Sequence, residues 1–213
     1  MKRIVCIFCC LLCSLFFIGC NDTENYDTFV TNLRQEIYYG ESENYTLYGA
    51  YGFNKLDDGN TEYILSLKLL NKETANETYI AKVTYNGLAY EEKFNFNPVK
   101  SSLIADMPIL DFKEKTFNVI IRCAEKEETI TLNSLIPNGT LSYKDALKCL
   151  WKNQPTLINS YYDGEIFTAS ITQRITVKNG KAYWYFALKK DNDVKALLLD
   201  GITGEVLAIR EIF

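Results

Sequence analysis

The stretch TYIAKVTYNGLAYEEKFNF, residues 78–96, decides the fold class. Asn86-Gly87 divides it into two runs, 78–85 and 88–96, that mix aromatic and β-branched residues with polar ones. Both central residues tolerate the positive φ of a two-residue type I′ turn, which makes this the strongest short-range signal for a β-hairpin. An isolated hairpin is marginal in water, so further strands with a matching apolar face are needed.

Period-two alternation supplies them. Within residues 61–70, Tyr63, Leu65, Leu67 and Leu69 share one face, and Phe117, Val119, Ile121 and Cys123 do the same further on. Asp57-Asp58-Gly59-Asn60 and Glu125-Lys126-Glu127 read as turns. Short strands with regular turns predict a mainly β protein with an antiparallel β-sandwich of immunoglobulin-like architecture over residues 34–136.

The character changes at NSLIPNGTL, residues 133–141, where Pro137 and Asn138-Gly139 interrupt any strand. We place a domain junction there, with a small α+β domain over residues 137–213. Its helix starts at Ser142 as N-cap, with Asp145 three residues on in a capping-box variant. Tyr143, Ala146, Leu147, Leu150 and Trp151 then form one apolar stripe at helical spacing. Residues 155–161 offer at most one further helical turn. Four strands follow as a meander over 165–178, 181–190, 194–200 and 205–210, with turns at Asn179-Gly180, Asp191-Asn192-Asp193 and residues 201–204.

A helix followed by an antiparallel sheet that ends in DGITGEVL, residues 200–207, resembles the PepSY and PepSY-like modules of bacterial envelope proteins. Their last hairpin often reads D-x-x-T-G-E-hydrophobic, and the resemblance spans residues 142–211. It implies docking onto or inhibition of peptidases, or sensing at the envelope. The family has no catalytic motif, so no catalytic residue is carried over.

The N-terminus addresses location. Lys2 and Arg3 precede residues 4–18, a run without charge that is the layout of a secretory signal. Fifteen residues at 1.5 Å rise reach about 22 Å, short of the roughly 30 Å core that a spanning helix must cross. Phe17-Ile18-Gly19-Cys20 resembles the lipobox of bacterial lipoproteins, with phenylalanine where leucine is usual. The resemblance implies a diacylglyceryl group on the Cys20 sulfur and cleavage between Gly19 and Cys20. Residues 1–19 are then the signal peptide and residues 20–33 the lipidated N-terminus and polar tether. Cys6, Cys9, Cys10 and Cys13 leave with the signal. Two acyl chains would anchor the protein to the extracytoplasmic face of the cell membrane.

Composition excludes several classes of function. Without Lys2 and Arg3 the 23 basic residues fall to 21 against 27 acidic ones, a formal charge of −6. Nucleic acid and anionic headgroups repel such a surface. The chain contains no histidine, which removes Ser-His-Asp and Cys-His catalysis in their usual forms and histidine-ligated zinc. No cofactor or metal is implied.

Several features carry two readings. Asp191-Asn192-Asp193 lacks the glycine and distal glutamate of an EF-hand and reads as an acidic turn rather than a calcium loop. Asp200 and Glu205 are either an acid-base pair or turn residues. Tyr183-Trp184-Tyr185-Phe186 either lines a groove or puts one face into the core. Cys123 and Cys149 read as unpaired thiols, since nothing in the sequence brings them together.

The expectation is a non-enzymatic, lipid-anchored binding or regulatory protein that docks envelope proteins or peptidases, with Tyr183, Tyr185, Asp200 and Glu205 as a partner surface. The alternatives are a carboxylate-dependent envelope hydrolase and a small-ligand capture protein.

Overall fold

A computed structural model of the chain describes residues 26–71, 77–99 and 101–212. Gly19 and Cys20 lie outside the described residues. A single 3-10 turn, Tyr26–Phe29, leads into β1 (Val30–Glu41) and β2 (Tyr45–Lys55), the two strands that organise everything else. β3 (Thr61–Asn71), β4 (Tyr79–Tyr85), β5 (Leu88–Lys93), β6 (Asn95–Asn97), β7 (Ser102–Pro108), β8 (Thr116–Cys123) and β9 (Lys126–Ser134) follow. Then come helices α1 (Tyr143–Asn153) and α2 (Pro155–Asn159) and the short pair β10 (Tyr162–Asp163) and β11 (Ile166–Phe167). The chain closes with β12 (Ser170–Lys178), β13 (Lys181–Lys190), β14 (Asp193–Asp200) and β15 (Val206–Ile212).

The protein is mainly β, and among the described residues thirteen strands share one large, curled, mostly antiparallel sheet. Its path runs β15-β14-β13-β12-β1-β2-β3-β7-β6, and a branch leaves β1 through β9 and β8 to β4 and β5. The expected hairpin is β4–β5, with Asn86 at φ 49° and Gly87 at φ 77° as a type I′ turn requires. The turn expected at Glu125-Lys126-Glu127 starts a residue earlier: Ala124 takes φ 51° and Cys123 already faces Lys126 across the β8–β9 ladder. Arg122 faces Glu127 across the same ladder, and their exposed side chains meet at 2.7 Å.

Residues 26–33, expected in the tether, are ordered. Val30 and Leu33 are fully buried in β1, Tyr26 stacks on Trp151 at 4.6 Å, and Lys144 Nζ reaches Asp27 at 2.7 Å. The first half of β1 pairs in parallel with β12, Leu33 opposite Gln173 and Arg34 opposite Arg174, across a separation of about 140 residues that no local pattern reveals.

Two hydrophobic clusters lie against the inner face of this sheet. One gathers Tyr38, Tyr51, Leu65, Leu67, Met107, Val119 and Ile121 inside the curl. The other gathers Leu33, Phe53, Leu150, Trp184, Phe186 and Leu197 under α1. Helix α1 forms as its sequence asks: Ser142 Oγ accepts from Asp145 N at 3.2 Å, and Ala146, Leu147 and Leu150 are buried. The Gln173 side chain, wholly buried, donates to the Tyr143 carbonyl at 2.8 Å and ties β12 to the helix start.

β1 serves both clusters only because of a bulge. The β1–β2 register shifts between Arg34 and Glu36, so Gln35 is the extra residue. Without it Leu33 and Tyr38, five positions apart, would face opposite sides of the sheet; with it both point inward. The bulge brings backbone into close approach: a Cβ on Gly52 would run into the Leu33 carbonyl.

Candidate functional site

The bulge coincides with a fork. Up to Arg34 one edge of β1 belongs to β12, whereas Tyr38 and Tyr39 pair with Ser134 and Asn133 of β9. Two strands that share one neighbour and then diverge must leave an opening between them, and a concavity lies on each side of it. On one side a space of 660 Å³ lies between Glu36, Lys115 and Ser134 and the segment leading into α1, with Trp184 on its far wall. There Glu36, turned inward by the bulge, pairs with Lys115 at 2.5 Å and accepts from Ser134 Oγ at 3.2 Å. Trp184 Nε1 donates to the Leu141 carbonyl at 3.1 Å on the opposite wall. Its polar groups are largely engaged with one another.

The outer side holds a groove of 510 Å³ with apolar walls that include Ile37, Tyr48, Ile104 and Leu135. Arg34 and Arg174 are register partners on its floor, and Lys68 also lines it. Arg34 Nη1 donates to the Leu33 carbonyl at 2.6 Å and to the Phe53 carbonyl and Asn54 Oδ1, both at 3.2 Å. Among the described residues Arg174 meets Asn32 Oδ1, at 3.5 Å. Burial pushes the Arg34 guanidinium below its ordinary value, the like charge of Arg174 adds to that, and Asp106 opposes it. Asp106 already accepts from Ser66 Oγ. Among the described residues neither arginine has a carboxylate within ion-pair distance. In a chain of net charge −4, two adjacent guanidiniums without a counter-ion raise the question of what anion they meet.

Of the residues expected as a partner surface, Tyr183 and Asp200 are register partners across β13 and β14, Tyr185 lies two residues along β13 on the same face, and Glu205 follows the turn after β14. Tyr183 and Tyr185 lie half-buried on the outer face of β13, while Trp184 and Phe186 between and beyond them are buried under α1. Tyr185 pairs with Arg174, so Arg34, Arg174, Tyr185 and Leu198 form one row across four strands. Asp200, at the end of β14, also caps the β14–β15 turn: its Oδ1 accepts from Ile202 N at 2.9 Å and Thr203 N at 2.8 Å. Those two N–H groups hold the carboxyl below its usual range. Glu205 is exposed beside the turn and its N–H is bonded to Thr203 Oγ1 at 3.3 Å. The turn is fastened to α1: Asn153 Nδ2 donates to the Gly204 carbonyl at 3.0 Å, and Leu141 N to the Gly201 carbonyl at 2.8 Å.

Cys123 and Cys149 are free thiols. Cys123 Sγ donates to a Glu77 oxygen at 2.6 Å, and burial followed by that carboxylate raises its pKa. Asp191, at φ 53°, and Asn192 link β13 to β14 as a two-residue turn. No group of three or more metal-binding side chains occurs among the described residues. No helix among them is long and apolar enough to cross a membrane.

Sequence reading missed Arg34 and Arg174. The available signal was the broken alternation of Val30, Leu33 and Tyr38, whose spacings of three and five cannot lie on one face of a regular strand. Compared with protein-family models, curated proteins and solved structures, the chain matches none of them.

Proposed function

We propose that this chain is a non-enzymatic binding or regulatory lipoprotein, held on the extracytoplasmic face of the cell membrane through lipid on Cys20. Its outer sheet face docks an envelope protein, with peptidases as one partner class. The observation that carries the binding role is the groove beside Arg34 and Arg174: an anion-seeking, partly apolar concavity on rigid strands. The anchor rests on Lys2, Arg3, the charge-free run and Gly19-Cys20. The finer architecture belongs to the same proposal. Strand faces of β3 and β8 sharing one cluster support a sandwich-like N-terminal half, and α1 over the β12–β15 meander supports a PepSY-like second half. The hydrolase alternative gains no support from Asp200, whose carboxylate is engaged by its own turn.

The test begins on intact cells. Wild-type protein takes up a fatty-acid probe, whereas Cys20→Ser is unlabelled and accumulates as precursor or leaves the membrane; Cys13→Ser behaves as wild type. Crosslinking then captures a protein partner, and purified protein shows no turnover of peptide, ester or glycoside substrates. An unlabelled wild type defeats the anchor, and robust turnover defeats the binding role.

A further inference from the structure

The outer groove has an open backbone edge as well as charge. Thr31 Oγ1 donates to the Ile171 carbonyl at 3.3 Å, so the backbone groups of Ile171 point toward β1. Direction alternates along a strand, and those of Gln173, Ile175 and Val177 therefore point the same way. β1 covers β12 only as far as Arg174 before it turns to β9. The Arg34–Arg174 register still gives the Ile175 N–H to the Arg34 carbonyl; beyond it, the Ile175 carbonyl and both backbone groups of Val177 meet no partner strand on this edge among the described residues, and both residues line the groove. An open edge of this kind is a template for one more strand.

Taking the binding role above as given, we infer that the groove receives the extended C-terminal end of a partner polypeptide, added antiparallel to β12, with its terminal carboxylate against Arg34 and Arg174. Direction selects the end. β12 runs from residue 170 to 178, so a guest antiparallel to it enters near Lys178 and finishes at Arg174. Two guanidiniums suit a carboxylate, which accepts paired N–H donors in one plane. Alternate guest side chains meet the apolar walls at Ile37, Leu135 and Tyr48; Leu135 and Tyr48 are each 40% exposed in the free protein. The groove, at 510 Å³, holds a few residues rather than a folded domain.

The experiment uses the full chain purified in detergent. Immobilised protein is equilibrated with a pool of random pentapeptides bearing free C-terminal carboxylates and, separately, with the same pool amidated. Retained sequences are identified by mass spectrometry and remeasured by fluorescence anisotropy. The free-carboxylate pool is expected to be retained with apolar C-terminal residues, and amidation to weaken each hit about tenfold or more. Arg174→Ala, at an exposed position, has the same effect with unchanged melting. Val177→Pro removes an N–H that faces the groove and spares the ladder to β13, so it too abolishes binding; if that variant fails to fold, the amide comparison and Arg174→Ala decide. Equal retention of the two pools, no retention, or binding indifferent to Arg174→Ala overturns the inference. Retention of interior acidic peptides irrespective of their C-terminus also overturns it. A partner still crosslinked on cells to Arg174→Ala refutes the groove while leaving the binding role intact.

Discussion

Gly204→Ala tests whether the last turn is docked on α1 or merely closes a hairpin. Gly204 sits at φ 70°, and an added Cβ would lie 2.7 Å from the Cys149 Cβ, in contact with its Sγ, and 3.2 Å from Leu141 Cδ1. The left-handed backbone costs an alanine about 1 kcal/mol. Forcing the helix away from the turn adds about 1–3 kcal/mol, the usual cost of overpacking. The sum is about 2–4 kcal/mol. Gly180→Ala supplies the control, because Gly180 has φ 74° and an added Cβ there would meet nothing within 4 Å, so it carries the backbone cost alone. Urea denaturation of both variants under one protocol reads the difference as a shift in midpoint at constant slope. Cys149→Ala in the Gly204→Ala background recovers part of the loss by removing the sulfur. A Gly204→Ala protein no less stable than Gly180→Ala would refute the docking of turn and helix.

Asp200→Ala should cost about 1 kcal/mol at neutral pH by leaving the Ile202 and Thr203 N–H groups to solvent, a figure reduced by the exposure of the site. Asp200 is depressed in the folded protein, so its ionised form stabilises above the unfolded pKa near 4; as pH falls through the lower folded value that contribution disappears, and thermal melts of wild type and variant should converge. Residues 137–213 expressed alone should fail to give a cooperative melt, because Val30, Leu33 and Phe53 complete the cluster under α1; a sharp transition and dispersed amide spectrum from that fragment would contradict the role of β1.

How much was legible in the sequence follows from how local each signal is. The hairpin at Asn86-Gly87, the Ser142 cap and the alternation of β3 and β8 depend on neighbours within a few residues, and each appears where it was expected. The pairing of β1 with β12 depends on residues 140 positions apart, and the bulge at Gln35 depends on two cores that must be faced at once. Neither leaves a local signature beyond the irregular spacing in β1. The candidate site inherits that obscurity, since Arg34 and Arg174 become neighbours only through the long-range pairing. Tyr185 was found by its place in an aromatic run, and its relation to the arginines needed the register.

The doubly flanked β1 also has a mechanical side. Its first half is held by β2 on one edge and β12 on the other, and its parallel ladder to β12 is oriented so that tension along the strand loads the hydrogen bonds in shear rather than peeling them singly. If Cys20 carries the lipid proposed above, five residues separate that anchor from Tyr26, and a pull between membrane and a bound partner would enter the fold close to this strand. A guest seated on β12 would sit in line with β1 in the same sheet. Force would then pass from membrane to partner through adjacent strands and leave both hydrophobic clusters largely out of the load path.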